Sequence, residues 1–271
     1  PTDIHQDHQV ISEEGIRADS VSGGIINFSF PGTLKLAAVT PNLGSSLTVG
    51  TGTIEYDLAG QQDIFAVAYN NLEIDGSGDK DISANLTVND TLTITNGTLD
   101  LRGSGGLDNF NLVATDFLMT GGILEAGASI AHTVSGTWNE TGGTFTPTEG
   151  TFTFGGTGDI TQSLGNNFFN LTVGGNKKTA LSDLKIDGAL LIDQATSELD
   201  MSGNKLELAG DFTMSNGTFT AGNSVAHTVS GTWNETGGTF TPAAGTFTFD
   251  GTGNITQSLG NNFFNLTVGG N

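Results

Sequence analysis

Cysteine is absent from all 271 residues. Disulfides and thiol chemistry are therefore excluded from any account of stability or reactivity, while the redox compartment stays open. Basic residues are nearly as scarce, with eight Lys and Arg against 29 Asp and Glu, for a formal net charge of −21. A nucleic-acid binder needs a basic footprint to replace the counterions of phosphates, and an anionic lipid surface asks for the same. Neither partner is expected. No run of 18 apolar residues occurs, so no membrane insertion is expected either. No leader stands before Pro1, which is read as a processed chain or an excerpt of a longer one. Only 14% of residues are charged, and Trp and Tyr number two each.

What is present is Gly (41), Phe (17) and abundant Thr, Val and Ile in short alternating runs. β-Branched and aromatic residues favour a pleated, half-buried surface, which argues against disorder. Apolar content of 35% suits a core that is one narrow column of side chains. The acidic shell implies solubility, mutual repulsion and an affinity for divalent cations.

A repeat organises the chain. Residues 131–176 read AHTVSGTWNETGGTFTPTEGTFTFGGTGDITQSLGNNFFNLTVGGN, and 226–271 repeat them except at Thr148/Ala243, Glu149/Ala244, Gly155/Asp250 and Asp159/Asn254. The offset from His132 to His227 is 227 − 132 = 95 residues. GTIEYD (52–57) followed by NNLEIDG (70–76) forms a third, divergent copy. Units thus begin near 52, 150 and 245, the last ending in mid-unit. Within each, period-two runs such as Thr-Phe-Thr-Phe and Leu-Thr-Val are punctuated by Gly, Asn and Asp pairs suited to turns. No helical periodicity of useful length appears.

Two all-β architectures satisfy this pattern. In a parallel β-solenoid, coils of about 19–24 residues stack about 4.8 Å apart, giving four or five coils per 95-residue unit. In a tandem array, each unit is one seven-stranded β-sandwich. Short strands, the lack of Pro-rich linkers and uniform composition favour the solenoid, over residues 25–271.

The run GTFTFDGTGNITQSLGNNFFNLTVGGN (245–271) resembles repeats of very large secreted surface proteins of bacteria and archaea, of the adhesin, filamentous-haemagglutinin and autotransporter-passenger type. The resemblance covers residues from about 52 to 271 and is one of style rather than of a diagnostic motif. It implies right-handed stacking, export to the extracellular surface, and a role in filaments, sheaths or adhesin stalks. It carries no catalytic residues.

Residues 1–24 lack the Thr/Gly rhythm and read as a cap or as a donor strand. In the donor reading, Gln9–Ser12 or Ile16–Val21 (Gln9, Val10, Ile11, Ile16 and Val21 above all) completes the apolar last coil of a second copy, at Phe263, Phe264, Leu266 and Val268. Such head-to-tail contact does not close and builds a homopolymer. The alternative is continuation into neighbouring repeats of the same chain.

Candidates for chemistry are few. His132 and His227 recur with the period and read as structural. His5 and His8 with Asp3 and Asp7 form a short terminal cluster. Asp75, Asp79 and Asp81, in DGSGDKD, are the best Ca2+ candidate, since alternate oxygen ligands in a Gly-rich loop can wrap a hard cation. The cluster lacks a downstream bidentate Glu and reads better as an acidic turn. Trp138 and Trp233 form a sugar platform if exposed and an interior stack if buried. Phe168/Phe169 and Phe263/Phe264 place one ring inside and one outside, and the Asn pairs 166–167 and 261–262 suit amide ladders. Ten Asn-X-Ser/Thr sequons, from Asn27 to Asn265, are compatible with a surface glycoprotein. No catalytic constellation is expected: such sites set carboxylates with Arg or Lys on one exposed face. The expected function is structural, with glycan or surface binding as the alternative.

Overall fold

The computed structural model describes residues 31–43, 50–129, 131–223 and 226–269, together with short strands and their flanks at 3–4, 8–10, 16–18, 20–21, 25–28 and 46–48. The protein is all-β, with no helix among the described residues, and comprises about eleven turns of parallel β-solenoid. A β-sandwich needs antiparallel pairing; the described pairings, Thr53↔Asn71, Leu92↔Phe117 and Phe212↔Trp233 among them, are parallel. The solenoid reading is therefore the correct one. The chain divides into two compact units, Pro1–Ser129 with Glu140–Thr146, and Ile130–Asn139 with Pro147–Asn271.

Each turn carries three short strands, because Gly- and Asn-rich corners interrupt every alternating run after two to four residues. In the first unit, Thr33–Leu36, Thr53–Tyr56 and Asn71–Ile74 stack side by side on one face. Gln62–Ile64, Asp79–Ile82, Thr98–Asp100 and Ile123–Glu125 stack on another. Partner spacings run from 17 residues (His8 to Ile25) to 26 (Leu86 to Leu112). Alternation then sorts the side chains. Leu34, Ile54, Leu72, Leu92 and Phe117 form one inward column, each on its neighbour's rung and each buried.

The second unit contains most of the near-identical repeat. On its first face stack His132–Val134, Thr151–Phe154, Asn170–Val173, Leu190–Ile192, Phe212–Met214 and Trp233–Glu235. On its second are Gly158–Thr161, Lys177–Ala180, Glu198–Asp200, Thr218–Thr220 and Thr239–Thr241. On its third are Leu184–Ile186, Leu206–Leu208, His227–Val229, Thr246–Phe249 and Asn265–Val268. Inward residues are apolar: Leu171, Leu190, Phe212 and Trp233 form one column, and the Phe212 and Trp233 rings stack with centroids 3.9 Å apart.

The repeat and the turn are out of phase. His132 lies on the first face, yet its counterpart His227 lies on the third. Thr151–Phe154 is on the first face and Thr246–Phe249 on the third; Asn170–Val173 and Asn265–Val268 shift likewise. From His132, four full turns bring the chain to Phe212–Met214, and His227 follows two strands later. The 95-residue unit therefore advances four and two-thirds turns, and each copy is rotated by one face. What travels intact is the local pairing. Thr53↔Asn71, Thr151↔Asn170 and Thr246↔Asn265 join the same two segments in the same register in all three copies.

One corner shows what the stacking demands of sequence. A Cβ on Gly210 would sit 2.2 Å from the Gly188 carbonyl oxygen, one on Gly231 would sit 2.3 Å from that of Gly210, and one on Gly253 would sit 2.3 Å from that of Gly231. Backbones meet there with no room for a side chain.

Candidate assembly surface

The aromatic and imidazole candidates are interior. Trp138 and Trp233 are fully buried, so the sugar-platform reading is withdrawn in favour of interior packing. Trp233 touches Phe212, Phe240, Phe247 and Phe263 rings with centroids 3.9–5.5 Å away. His132 and His227 are buried and lie flat against Phe152 and Phe247, at 4.5 and 4.6 Å. Leu206 N–H donates to His227 Nδ1 at 3.1 Å, which leaves the ring proton on Nε2. Burial pushes the His227 pKa down to about 4, opposed by the Ala221 backbone and Asp183.

The DGSGDKD turn is organised by a lysine. Lys80 is fully buried and its ammonium donates to the carbonyls of Leu58 (2.9 Å), Gly60 (2.9 Å) and Ser77 (3.2 Å). Burial lowers its pKa, while Asp79, Asp57 and Asp81 oppose the shift. Asp75 accepts from Thr95 Oγ1 at 2.7 Å and Asp81 from Gln61 at 2.7 Å. Among the described residues no group of three or more His, Asp or Glu is arranged to hold a metal, so Asp75, Asp79 and Asp81 do not converge. A protonated amine occupies the carbonyls that a cation would seek. Lys178, at the same strand position in the next copy, is equally buried and donates to the Ser135 and Gly136 carbonyls, with Phe154 5.5 Å from its Nζ.

Carboxylates do line up elsewhere on the first unit. Asp63, Asp81, Asp100 and Glu125 are register partners on four successive rungs. Arg102 forks onto both Asp100 oxygens at 3.0 Å and also meets Glu125. Asp63 and Asp81 border a groove of about 470 Å³ with Phe65 and Ser104. The residue spacings within this ladder are unequal, so no sequence motif announces it.

The clearest unfinished surface is the last turn of the second unit. Identical residues occupy two environments: Ile160, Leu171 and Val173 are fully buried, whereas their counterparts Ile255, Leu266 and Val268 are 39, 49 and 70% exposed. Phe168 is buried and Phe169 half-buried; Phe263 is half-buried and Phe264 64% exposed. In each pair the first ring is the deeper one, with Phe169 half-buried rather than outside, and the second pair sits one level shallower. In the earlier copy the covering layer is the turn 177–192. Ala180 lies beside Ile160, Ile186 beside Phe168, Leu190 beside Leu171 and Ile192 beside Val173.

Polar groups follow the same rule. The Gln162 amide grips the backbone of the next turn twice, donating to Lys185 C=O at 3.2 Å and accepting from Lys185 N–H at 2.7 Å. Its counterpart Gln257 has a buried Nε2 with no partner. The Asn pairs bond from rung to rung, but to carboxylates rather than as amide ladders: Asn167 donates to Asp187, and Asn261 to Glu235 at 2.6 Å. The Gln and Lys roles were missed in sequence, because both residue types read as solvent-facing; recurrence at matched positions was the available signal.

At the other end of the chain, Gln9 and Val10 lie in a strand paired with Ile26 and Asn27, Ile16 pairs with Leu34, and Val21 with Ile4. Ile11, Ser12, His5 and Asp7 lie outside the described residues; Asp3 pairs with Ser20 and His8 with Ile25, and nothing further is described of their side chains. Comparison with known protein families, curated proteins and solved structures returns no match.

Proposed function

We propose that this chain is a structural element of an extracellular or cell-surface filament, sheath or adhesin stalk, lengthened by stacking parallel β-turns end to end. The observation that carries this reading is the phase of the repeat. Identical segments are turned to different faces from one copy to the next. A repeated ligand-binding ledge needs its copies on one side; here the shared features are the interior column and the strand pairing. The resemblance of the repeat to secreted surface proteins supports the location. The half-exposed apolar residues of the last turn support association with a second copy or with neighbouring repeats, and strand donation by residues 1–24 is one route to it. Electron microscopy of the purified protein tests the reading: rods or fibres of uniform width agree with it, and compact particles without axial order contradict it.

The carboxylate ladder from Asp63 to Glu125, with Arg102 and its adjoining groove, favours a second reading, binding of a glycan along one face of the first unit. A sugar-array screen separates the two. Binding that disappears in Asp81→Asn favours the second reading, and an empty array favours the first.

A further inference from the structure

The last turn of the second unit has a filled counterpart in the same molecule, so the chemistry of what it would hold can be read directly. We propose that residues 254–268 form an acceptor site for a parallel turn of the type of residues 177–192, KKTALSDLKIDGALLI, supplied by a further repeat. This deepens the stacking reading above and rests on it only for biological meaning; the site itself stands on the comparison of the two copies.

Four features define the occupant. Its backbone must offer one N–H and one C=O to the Gln257 amide, as Lys185 does to Gln162. It must place an apolar side chain beside Phe263, as Ile186 stands beside Phe168, and two more beside Leu266 and Val268, as Leu190 and Ile192 do for Leu171 and Val173. It must carry a lysine seven residues before the residue that meets the amide. In the filled copy that lysine is Lys178, which reaches the Ser135 and Gly136 carbonyls two turns back; their counterparts here are Ser230 and Gly231. The path is open because Gly158, and Gly253 after it, has no side chain. Charge agrees. Three of the eight basic residues of the chain fall within Lys177–Lys185. The receiving turn itself carries no charge, but two carboxylates flank it: Asp250 just before it, and on the preceding rung the buried Glu235, whose Oε2 has no partner. Residues 1–24 hold five acidic side chains against Arg17 and carry no lysine, so they match this site less well than 177–192.

The test uses the whole 271-residue protein and a fluorescent, end-blocked peptide of residues 177–192. Fluorescence anisotropy should show saturable binding, and hydrogen exchange at Leu266–Val268 should slow when the peptide is present. Binding should weaken about tenfold for the Gln257→Ala protein, which loses two hydrogen bonds to the peptide backbone. It should vanish for a peptide carrying Leu184→Asp and Ile186→Asp, a control that leaves the protein untouched. No binding, or binding indifferent to both changes, overturns the proposal. Preferential binding of a peptide of residues 1–24 overturns it as well. Should the peptide bind while microscopy shows no axial order, the acceptor site stands and the filament reading fails.

Discussion

Leu171 and Leu266 are the same residue in the same local sequence, NNFFNLTVGGN, one covered by a following turn and one not. Truncating each to alanine measures what that turn contributes. Leu171 is fully buried between Phe152 and Leu190. Leu→Ala removes three carbons, about 2.4 kcal/mol of transfer free energy at about 0.8 per group. A cavity in a stack that cannot easily collapse raises the total to about 3–4 kcal/mol. Among the described residues Leu266 has Phe247 as its one register partner, and it is 49% exposed. Half the transfer energy remains and solvent fills the gap, so the expected cost is about 1 kcal/mol. Stacked turns can open locally, so native-state hydrogen exchange is the better assay, with urea unfolding as a check on the global loss. Leu171→Ala should raise exchange across the turns on both sides, and Leu266→Ala only in the last strand. Equal costs at the two sites, or a larger one at Leu266, would refute the claim that the following turn does the burying.

Other expectations follow from the interior. Lys80→Met strands the Leu58 and Gly60 carbonyls, while Ser77 C=O keeps the Gly60 N–H, and should cost about 2–3 kcal/mol, whereas Lys185→Met, at a half-exposed residue 3.8 Å from Asp187, should stay within about 0.5 kcal/mol in urea unfolding. His227 stays neutral in the folded chain down to about pH 4, while its unfolded imidazole takes a proton near pH 6.5. Its contribution to stability is therefore full above pH 6.5 and declines as pH falls toward 4. The wild type should lose about 1–2 kcal/mol relative to His227→Asn between pH 7 and 4.5, after allowance for solvent screening; parallel pH profiles would contradict this. Gly210→Ala drives a Cβ into the Gly188 carbonyl and should cost about 1–3 kcal/mol, while Gly155→Ala, whose Cβ meets nothing within 4 Å, should be close to neutral by thermal melt.

Much of the fold was legible because it rests on local signals. The Thr-Phe-Thr-Phe and Leu-Thr-Val alternations announce which side chains point inward, and the burial of Phe152, Phe154, Leu171 and Val173 follows them. The 95-residue period announced the repeat, but not its phase. Phase accumulates from corner lengths, and the longest spacing, Leu86 to Leu112, includes an irregular loop that no periodicity reveals. The carboxylate ladder from Asp63 to Glu125 was hidden for the same reason, since its members are 18, 19 and 25 residues apart. The DGSGDKD turn reads in sequence as an acidic turn before a cation site, and what the sequence hid there is Lys80, whose burial against backbone carbonyls contradicts the ordinary preference of lysine for solvent. Both Trp residues pack inside as expected, but on different faces rather than in one stack along the column.

The most direct test of the account concerns the phase of the repeat, and a chain without cysteine is well suited to it. Outward-facing Thr213 lies beside Asn234 on the next rung, and Thr228 beside Thr248, on a different face. Cysteines on adjacent parallel rungs are within bridging distance. Under mild oxidation, the pairs Thr213→Cys/Asn234→Cys and Thr228→Cys/Thr248→Cys should each close a disulfide within one chain, and Thr213→Cys/Thr228→Cys should not. If the repeat spanned a whole number of turns, Thr228 would share the face of Thr133 and Thr213, and Asn234 would lie off it. Closure of the Thr213/Thr228 pair with failure of the Thr213/Asn234 pair would contradict the four-and-two-thirds-turn solenoid on which the structural reading rests.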